Sequence, residues 1–285
     1  MGTYGTSPTK VRRTKADMAS IRQALYATLE DDHPATVRQV FYRLVTQGVI
    51  AKTEAEYKRT ICRLLREMRL AGELPFGWIT DNTRWMRKPT TYSSLEHALR
   101  RTAEAYRRSL WDTQEVYVEV WLEKDALAGV LMEETVKWDV PLMVTRGYPS
   151  LSYLYEAAEQ IRGCGKPAHL YYFGDYDPSG LDITRNVERR LREFAPLADI
   201  RFERVAVTPE QITRWQLPTR PTKQSDSRSK GFEGGSIEVD AIPPRDLRAL
   251  TRDRIEQHVN RRSLEVLQLA EREERAWLHT LLGAA

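Results

Sequence analysis

Cysteine is nearly missing from this chain: Cys62 and Cys164 are the only two among 285 residues. Two thiols so far apart exclude a disulfide framework and a zinc knuckle, and they fit a reducing compartment. No stretch approaches the roughly 18 consecutive apolar residues that span a bilayer. The opening MGTYGTSPTKVRRTK also lacks the apolar centre of a secretory signal. Membrane insertion and secretion are therefore not expected, and a cytoplasmic protein is. Charge of one sign is scarce as well: 44 Lys and Arg stand against 40 Asp and Glu, a net +4. With a pI near 9.0 that balance admits a polyanionic partner without requiring one. The five histidines, at 33, 97, 169, 258 and 279, show no metal-ligand spacing. Gly163-Cys-Gly165-Lys166 is not a phosphate loop, because Gln160 and Pro167 stand where Gly and Ser or Thr belong.

What is present is the composition of a folded protein, 41% hydrophobic and 29% charged, long enough for one large domain or two smaller ones. Residues 1–15 read as a loose basic arm. Helical periodicity then runs from Ala16 to Leu29, Thr36 to Val45 and Glu54 to Leu70, as in a helix-turn-helix. In the third segment Tyr57, Ile61, Leu64, Leu65 and Met68 form an apolar stripe, while Lys58, Arg59 and Arg63 fall outside it. The following AGELPFGWITDNTR has the Gly and Pro punctuation of a wing hairpin, so residues 16–95 are expected to form a winged-helix domain. An Arg-rich connecting helix over 96–111 leads into residues 112–285. There strands at Glu115–Leu122, Pro141–Thr145, His169–Phe173 and Ile200–Val207 alternate with helices at Ala126–Lys137, Ser150–Arg162 and Leu181–Phe194. That alternation predicts an α/β fold with a mainly parallel sheet flanked by helices, whose ligands bind at the strands' carboxyl ends. Pro218–Gly235 reads as a surface loop, and Arg248–Leu282 as a helical extension.

Two strand ends carry the candidate chemistry. HLYYFGDYDPSGL places Asp175 and Asp177 two residues apart where a strand stops, with Pro178 suited to open the next helix and Asp177 to cap it. Such a pair reads either as a turn with a helix cap or as two carboxylates sharing a hard cation such as Mg²⁺. EVYVEVWLEKD puts Glu123 and Lys124 at the end of another strand, where a parallel sheet brings them to the same edge. Three converging carboxylates hold metal ions that neutralise a scissile phosphate, and Lys124 adds a phosphate contact. On helix spacing, Val37, Val40, Phe41, Leu44 and Val45 form a buried stripe, leaving Arg38 and Tyr42 beside it as an i, i+4 pair with the hydroxyl outward. On spacing alone, Tyr42 is a half-buried packing aromatic.

Glu123-Lys124 after a strand, Arg146-Gly147-Tyr148-Pro149, Asp175-Tyr-Asp177-Pro178-x-Gly180 and SIEVDAIPPRDL together resemble the Toprim domain of the DNA topoisomerase VI A subunit and its relative, the meiotic double-strand-break protein. Val37-Arg38-Gln39-Val40-Phe41-Tyr42 is similar to that family's catalytic-tyrosine motif. The compact layout looks most like the minimal Mini-A proteins. The resemblance implies a winged helix followed by a Toprim domain, and DNA cleavage in which Tyr42, assisted by Arg38, forms a 5′-phosphotyrosyl link. It implies Mg²⁺ on Glu123, Asp175 and Asp177, and double-stranded DNA on Lys58, Arg59, Arg63, Lys124 and Arg146. It further implies a nucleoid-associated homodimer in which one protomer's tyrosine works at the other's metal site. Without an ATPase motif in this chain, strand passage calls for a separate ATPase subunit. Two other readings stay open: a Toprim nuclease that uses metal-activated water, and a non-catalytic winged-helix regulator.

Overall fold

The structure is a computed structural model and describes residues 13–79, 89–220, 232 and 235–283. The first helix, α1 (Lys15–Asp31), starts at a capping box in which the Thr14 hydroxyl accepts from the Asp17 N–H and the Asp17 carboxylate accepts from the Thr14 N–H. A second box, Thr36 with Gln39, opens α2 (Val37–Thr46). The segment expected as one third helix is continuous but irregular: α3 (Glu54–Glu56) passes through a π turn at Tyr57–Ile61 into α4 (Cys62–Leu70). Ile61, Leu64, Leu65 and Met68 are buried, as their spacing predicts, and Tyr57 is half-buried. The N-terminal unit is thus a cluster of helices. The described part of the expected wing is not a hairpin: Phe76–Trp78 is a 3₁₀ turn, and Ile79 makes a single parallel bridge to Ala35. The remainder of that segment lies outside the described residues.

Capped by Ser94, α5 (Leu95–Ala105) stops short of the expected end, because Tyr106 turns extended and bonds the C-terminal helix through Arg275 and Glu274. The sheet follows, with β1 (Tyr117–Leu122), β2 (Leu142–Val144), β3 (Ala168–Phe173) and β4 (Ile200–Ala206) in the order β2-β1-β3-β4, all parallel. Between and after them run α6 (Ala128–Thr135), α7 (Leu151–Cys164), α8 (Pro178–Phe194) and α9 (Pro209–Arg214). The predicted C-terminal helix is two, α10 (Pro244–Glu256) and α11 (Arg261–Gly283). The break has a local cause: the Asn260 N–H donates to Gln114 Oε1 (2.8 Å), and the Asn260 side chain caps Ser263 (3.1 Å).

Alternate strand residues serve two cores. Trp121, Leu170 and Tyr172 pack with α7 and α8 on one face. Val120, Leu122, Tyr171 and Phe173 face a second core that runs without interruption through α6 and α10 into Leu25, Leu44, Leu64 and Leu65 of the N-terminal helices. Two polar ties reinforce that junction: Arg248 of α10 pairs with buried Asp32 after α1, and Gln39 Nε2 donates to the Ile242 carbonyl (3.4 Å). Among the described residues no helix is long and apolar enough to cross a membrane.

Candidate functional site

Parallel register brings the candidate residues together. Leu122 sits beside Phe173 in the β1–β3 pairing, so Glu123 and Gly174 leave the sheet side by side. The Glu123 N–H donates to the Phe173 carbonyl (2.9 Å), and the Asp175 N–H returns to Glu123 Oε2 (3.0 Å). Gly174 is required there, since a Cβ would stand 2.6 Å from Glu123 Oε2. Pro178 opens α8 at its first turn, and Asp177 caps it by accepting the Gly180 N–H at 2.7 Å, as the sequence predicts. Gly180 has its own reason: a Cβ would stand 2.3 Å from the Asp175 carbonyl.

Burial, and then the neighbouring Asp175, push the Glu123 carboxyl up to about 7. Asp175 is likewise raised by burial, against the pull of Lys124. Lys124 Nζ lies 3.1 Å from Asp175, 3.0 Å from Glu238 and 2.6 Å from Asp240. Burial works against its ammonium, but Asp240 and Asp175 outweigh it and hold it above the ordinary range. Arg38 of α2 reaches the same Glu238 at 3.5 Å, and Arg220 pairs with its other oxygen. These groups line an open cleft of about 820 Å³ together with Tyr57, Arg69, Arg146 and Gly147.

Tyr42 is not outward as its spacing predicts. It is 2% exposed, because α2 is covered on that side by the 3₁₀ turn Val239–Ala241 as well as by its own helical neighbours. Burial raises its hydroxyl, which Arg220, Arg38 and Lys124 oppose electrostatically. The tyrosine therefore lies within electrostatic reach of Arg38, Lys124, Arg220 and Asp240 of its own chain. Arg38 lies 4.5 Å above the Tyr57 ring and Lys52 5.2 Å above that of Tyr42, so both aromatics have a cation on the face. Arg146 is at the cleft in the left-handed region (φ 53°), followed by Gly147 at φ 84°, and pairs with Asp125 at 3.1 Å. Lys58, Arg59 and Arg63 are not brought to the cleft. They are exposed, Lys58 pairing with Glu54 at the rim of the cleft and Arg63 with Glu67.

Four residues of this site escape the sequence reading: Arg204, Arg220, Glu238 and Asp240. The half-buried Arg204 guanidinium donates to the Gly174 carbonyl (2.8 Å), the Val207 carbonyl (3.1 Å), the Gly180 carbonyl (3.4 Å), the Asp175 carbonyl and Thr184 Oγ1. Its signal is an arginine that shares the face of Ile200 and Phe202, where the strand's other charges, Arg201 and Glu203, point the opposite way. Glu238 and Asp240 repeat the i, i+2 acidic spacing of Asp175 and Asp177 within SIEVDAIPPRDL, which is the trace they leave in the sequence.

Glu123 and Asp175, adjacent, half-buried and mutually repelling, form a hard-oxygen donor pair that fits Mg²⁺. Asp177 has Oδ1 engaged at the helix cap. Among the described residues no three acidic, histidine or cysteine side chains are already grouped as a metal site. No protein-family model matches the chain, and no curated protein is significantly similar to it.

Proposed function

We propose that this protein cleaves double-stranded DNA by tyrosine transesterification in the manner of a topoisomerase VI A subunit, with Mg²⁺ held by Glu123, Asp175 and Asp177. One observation carries the reading: Arg38 and Tyr42 of α2 share a cation cluster with Lys124, at the strand edge that bears Glu123 and Asp175. Tyr42 Oη would attack the phosphorus, its bond to phosphorus forming as the bond to the 3′ oxygen breaks, which leaves a 5′-phosphotyrosyl end and a 3′-hydroxyl. A phenol with pKa near 10 is a weak nucleophile. Arg38, Lys124 and Arg220 offset the burial penalty on its anion and the charge that builds on the phosphate. The metal, when bound, neutralises the phosphate oxygens. Arg146 would hold the backbone at the cleft, while Lys58, Arg59 and Arg63, exposed on the neighbouring helix, would contact phosphates outside it. A homodimer and a separate ATPase subunit are the partners that belong with this reading, strand passage depending on the latter.

Incubation with negatively supercoiled plasmid and Mg²⁺, stopped with denaturant, tests it. Nicked or linear DNA with covalently attached protein is expected, with the attachment lost in Tyr42→Phe and cleavage lost in Asp177→Ala. A second reading, a nuclease using metal-activated water, is favoured by the burial of Tyr42. It gives cleaved DNA free of protein and indifferent to Tyr42→Phe.

A further inference from the structure

Three cations converge on one carboxylate. Glu238 Oε2 accepts from Arg38 (3.5 Å) and Lys124 (3.0 Å), while Oε1 takes Arg220. The three come from α2, from the end of β1 and from the segment after α9. Brought together without an anion, they would repel one another, so the cluster exists around a negative charge. The Tyr42 hydroxyl interacts with the same three cations. Glu238 itself is nine-tenths buried, on extended backbone (φ −84°, ψ 143°) beside the bridge between Ile237 and Tyr176, and its side chain projects to the wall of the open cleft. A carboxylate with two oxygens among a bidentate-capable pair of arginines, a lysine and a phenol has the donor environment of a phosphodiester.

We propose that Glu238 is an internal stand-in for the substrate phosphate: Arg38, Lys124 and Arg220 form the phosphodiester site, and the Glu238 carboxylate fills it until a DNA backbone phosphate displaces it. This rests on the DNA reading above and adds a built-in competitor to it. Lys124 remains anchored by Asp175 and Asp240 when Glu238 leaves, so the pocket survives the exchange. The competitor also sets a threshold, because a weakly held anion does not displace it.

The test uses the full chain in EDTA, as wild type and as the isosteric Glu238→Gln, with melting temperatures showing that both fold. Inorganic phosphate is titrated by calorimetry, and a 5′-fluorescein 20-base-pair duplex by anisotropy across a salt series. Removing the competitor is expected to tighten both ligands about tenfold and to steepen the log K against log salt slope for DNA by about 0.9. Glu238→Asp, which keeps the charge, is expected to stay near wild type. Phosphate and DNA bound equally by wild type and Glu238→Gln, or more weakly by the variant, overturn the proposal, and with duplex bound they leave the DNA reading standing. Phosphate tightened in the variant with no duplex bound by either protein upholds the anion site and overturns the DNA reading.

Discussion

Arg204→Met is the most informative single change outside the cleft. The guanidinium sits behind the acidic turn, and burial pulls its pKa down against the attraction of Tyr172, Glu123, Asp175 and Asp177. Two of the carbonyls it serves keep other partners: Gly174 O also accepts from the Val207 N–H (2.9 Å), and Gly180 O from Thr184 Oγ1 (2.7 Å). The loss therefore concentrates on the Asp175 and Val207 carbonyls. At roughly 1–3 kcal/mol for each buried acceptor left unsatisfied, and with methionine keeping the apolar stem against Tyr172, the expected cost is about 3 kcal/mol. Urea unfolding of the full chain measures it, the midpoint falling with an unchanged slope. Arg204→Lys, a single point donor in place of a planar fork, should recover about half of that loss. On the proposed Mg²⁺ site, which includes Asp175 and Asp177 at the loosened carbonyl, any rise in melting temperature on adding Mg²⁺ should be smaller in both variants than in wild type. A cost below about 1 kcal/mol for Arg204→Met, or a lysine variant equal to wild type, refutes the assignment of Arg204 as the positioning residue of the acidic turn.

Three further outcomes follow from the same geometry. Glu119 in β1 is fully buried, accepts from Tyr117 Oη (2.8 Å) and Trp121 Nε1 (2.7 Å), and is pushed up to about 7 by burial. Its folded pKa exceeds the unfolded value near 4.3, so stability should fall by about 3 kcal/mol as pH rises from about 4 to 7; Glu119→Gln should flatten that slope, and parallel profiles for the two proteins would count against it. Gly180→Ala drives a methyl onto the Asp175 carbonyl and should cost about 2 kcal/mol, read by thermal unfolding; an unchanged melting temperature contradicts the close approach. Mixing Tyr42→Phe with Asp175→Asn protein should restore no more than a trace of plasmid cleavage, since Tyr42 interacts with Lys124, the partner of Asp175, within one chain; recovery to about a quarter of wild type, one complete site in each of the half of dimers that are mixed, would show that they work across two chains.

The parallel α/β order was legible because strands alternate with helical periodicity and two of the intervening helices begin at a cap, Ser150 and Asp177, whereas α6 has no side-chain cap. Glu123 and Asp175 could be placed at one edge from strand direction alone. The position of Tyr42 was not legible, because an i, i+4 pattern gives the face a residue occupies on its helix and not which distant segment covers that face. Here the cover comes from residues 239–241, some two hundred positions along the chain. Arg220 and Glu238 were hidden for the same reason: each is an ordinary surface residue type until tertiary folding places it against the other. The π turn at Tyr57–Ile61 has no sequence rule to announce it, and the split between α10 and α11 depends on Gln114, a residue from another element.

The unbroken core beneath α1, α2, α6 and α10 has a mechanical consequence. With one continuous apolar core joining the helical cluster to the sheet beneath the cleft, the N-terminal helices do not swing as a detached arm. A load applied to their outer basic face travels to the strand ends as a small rigid displacement. The walls of the cleft therefore keep their spacing whatever grips the outside of the molecule, and side-chain exchange within it, rather than domain opening, is the motion left to admit a ligand.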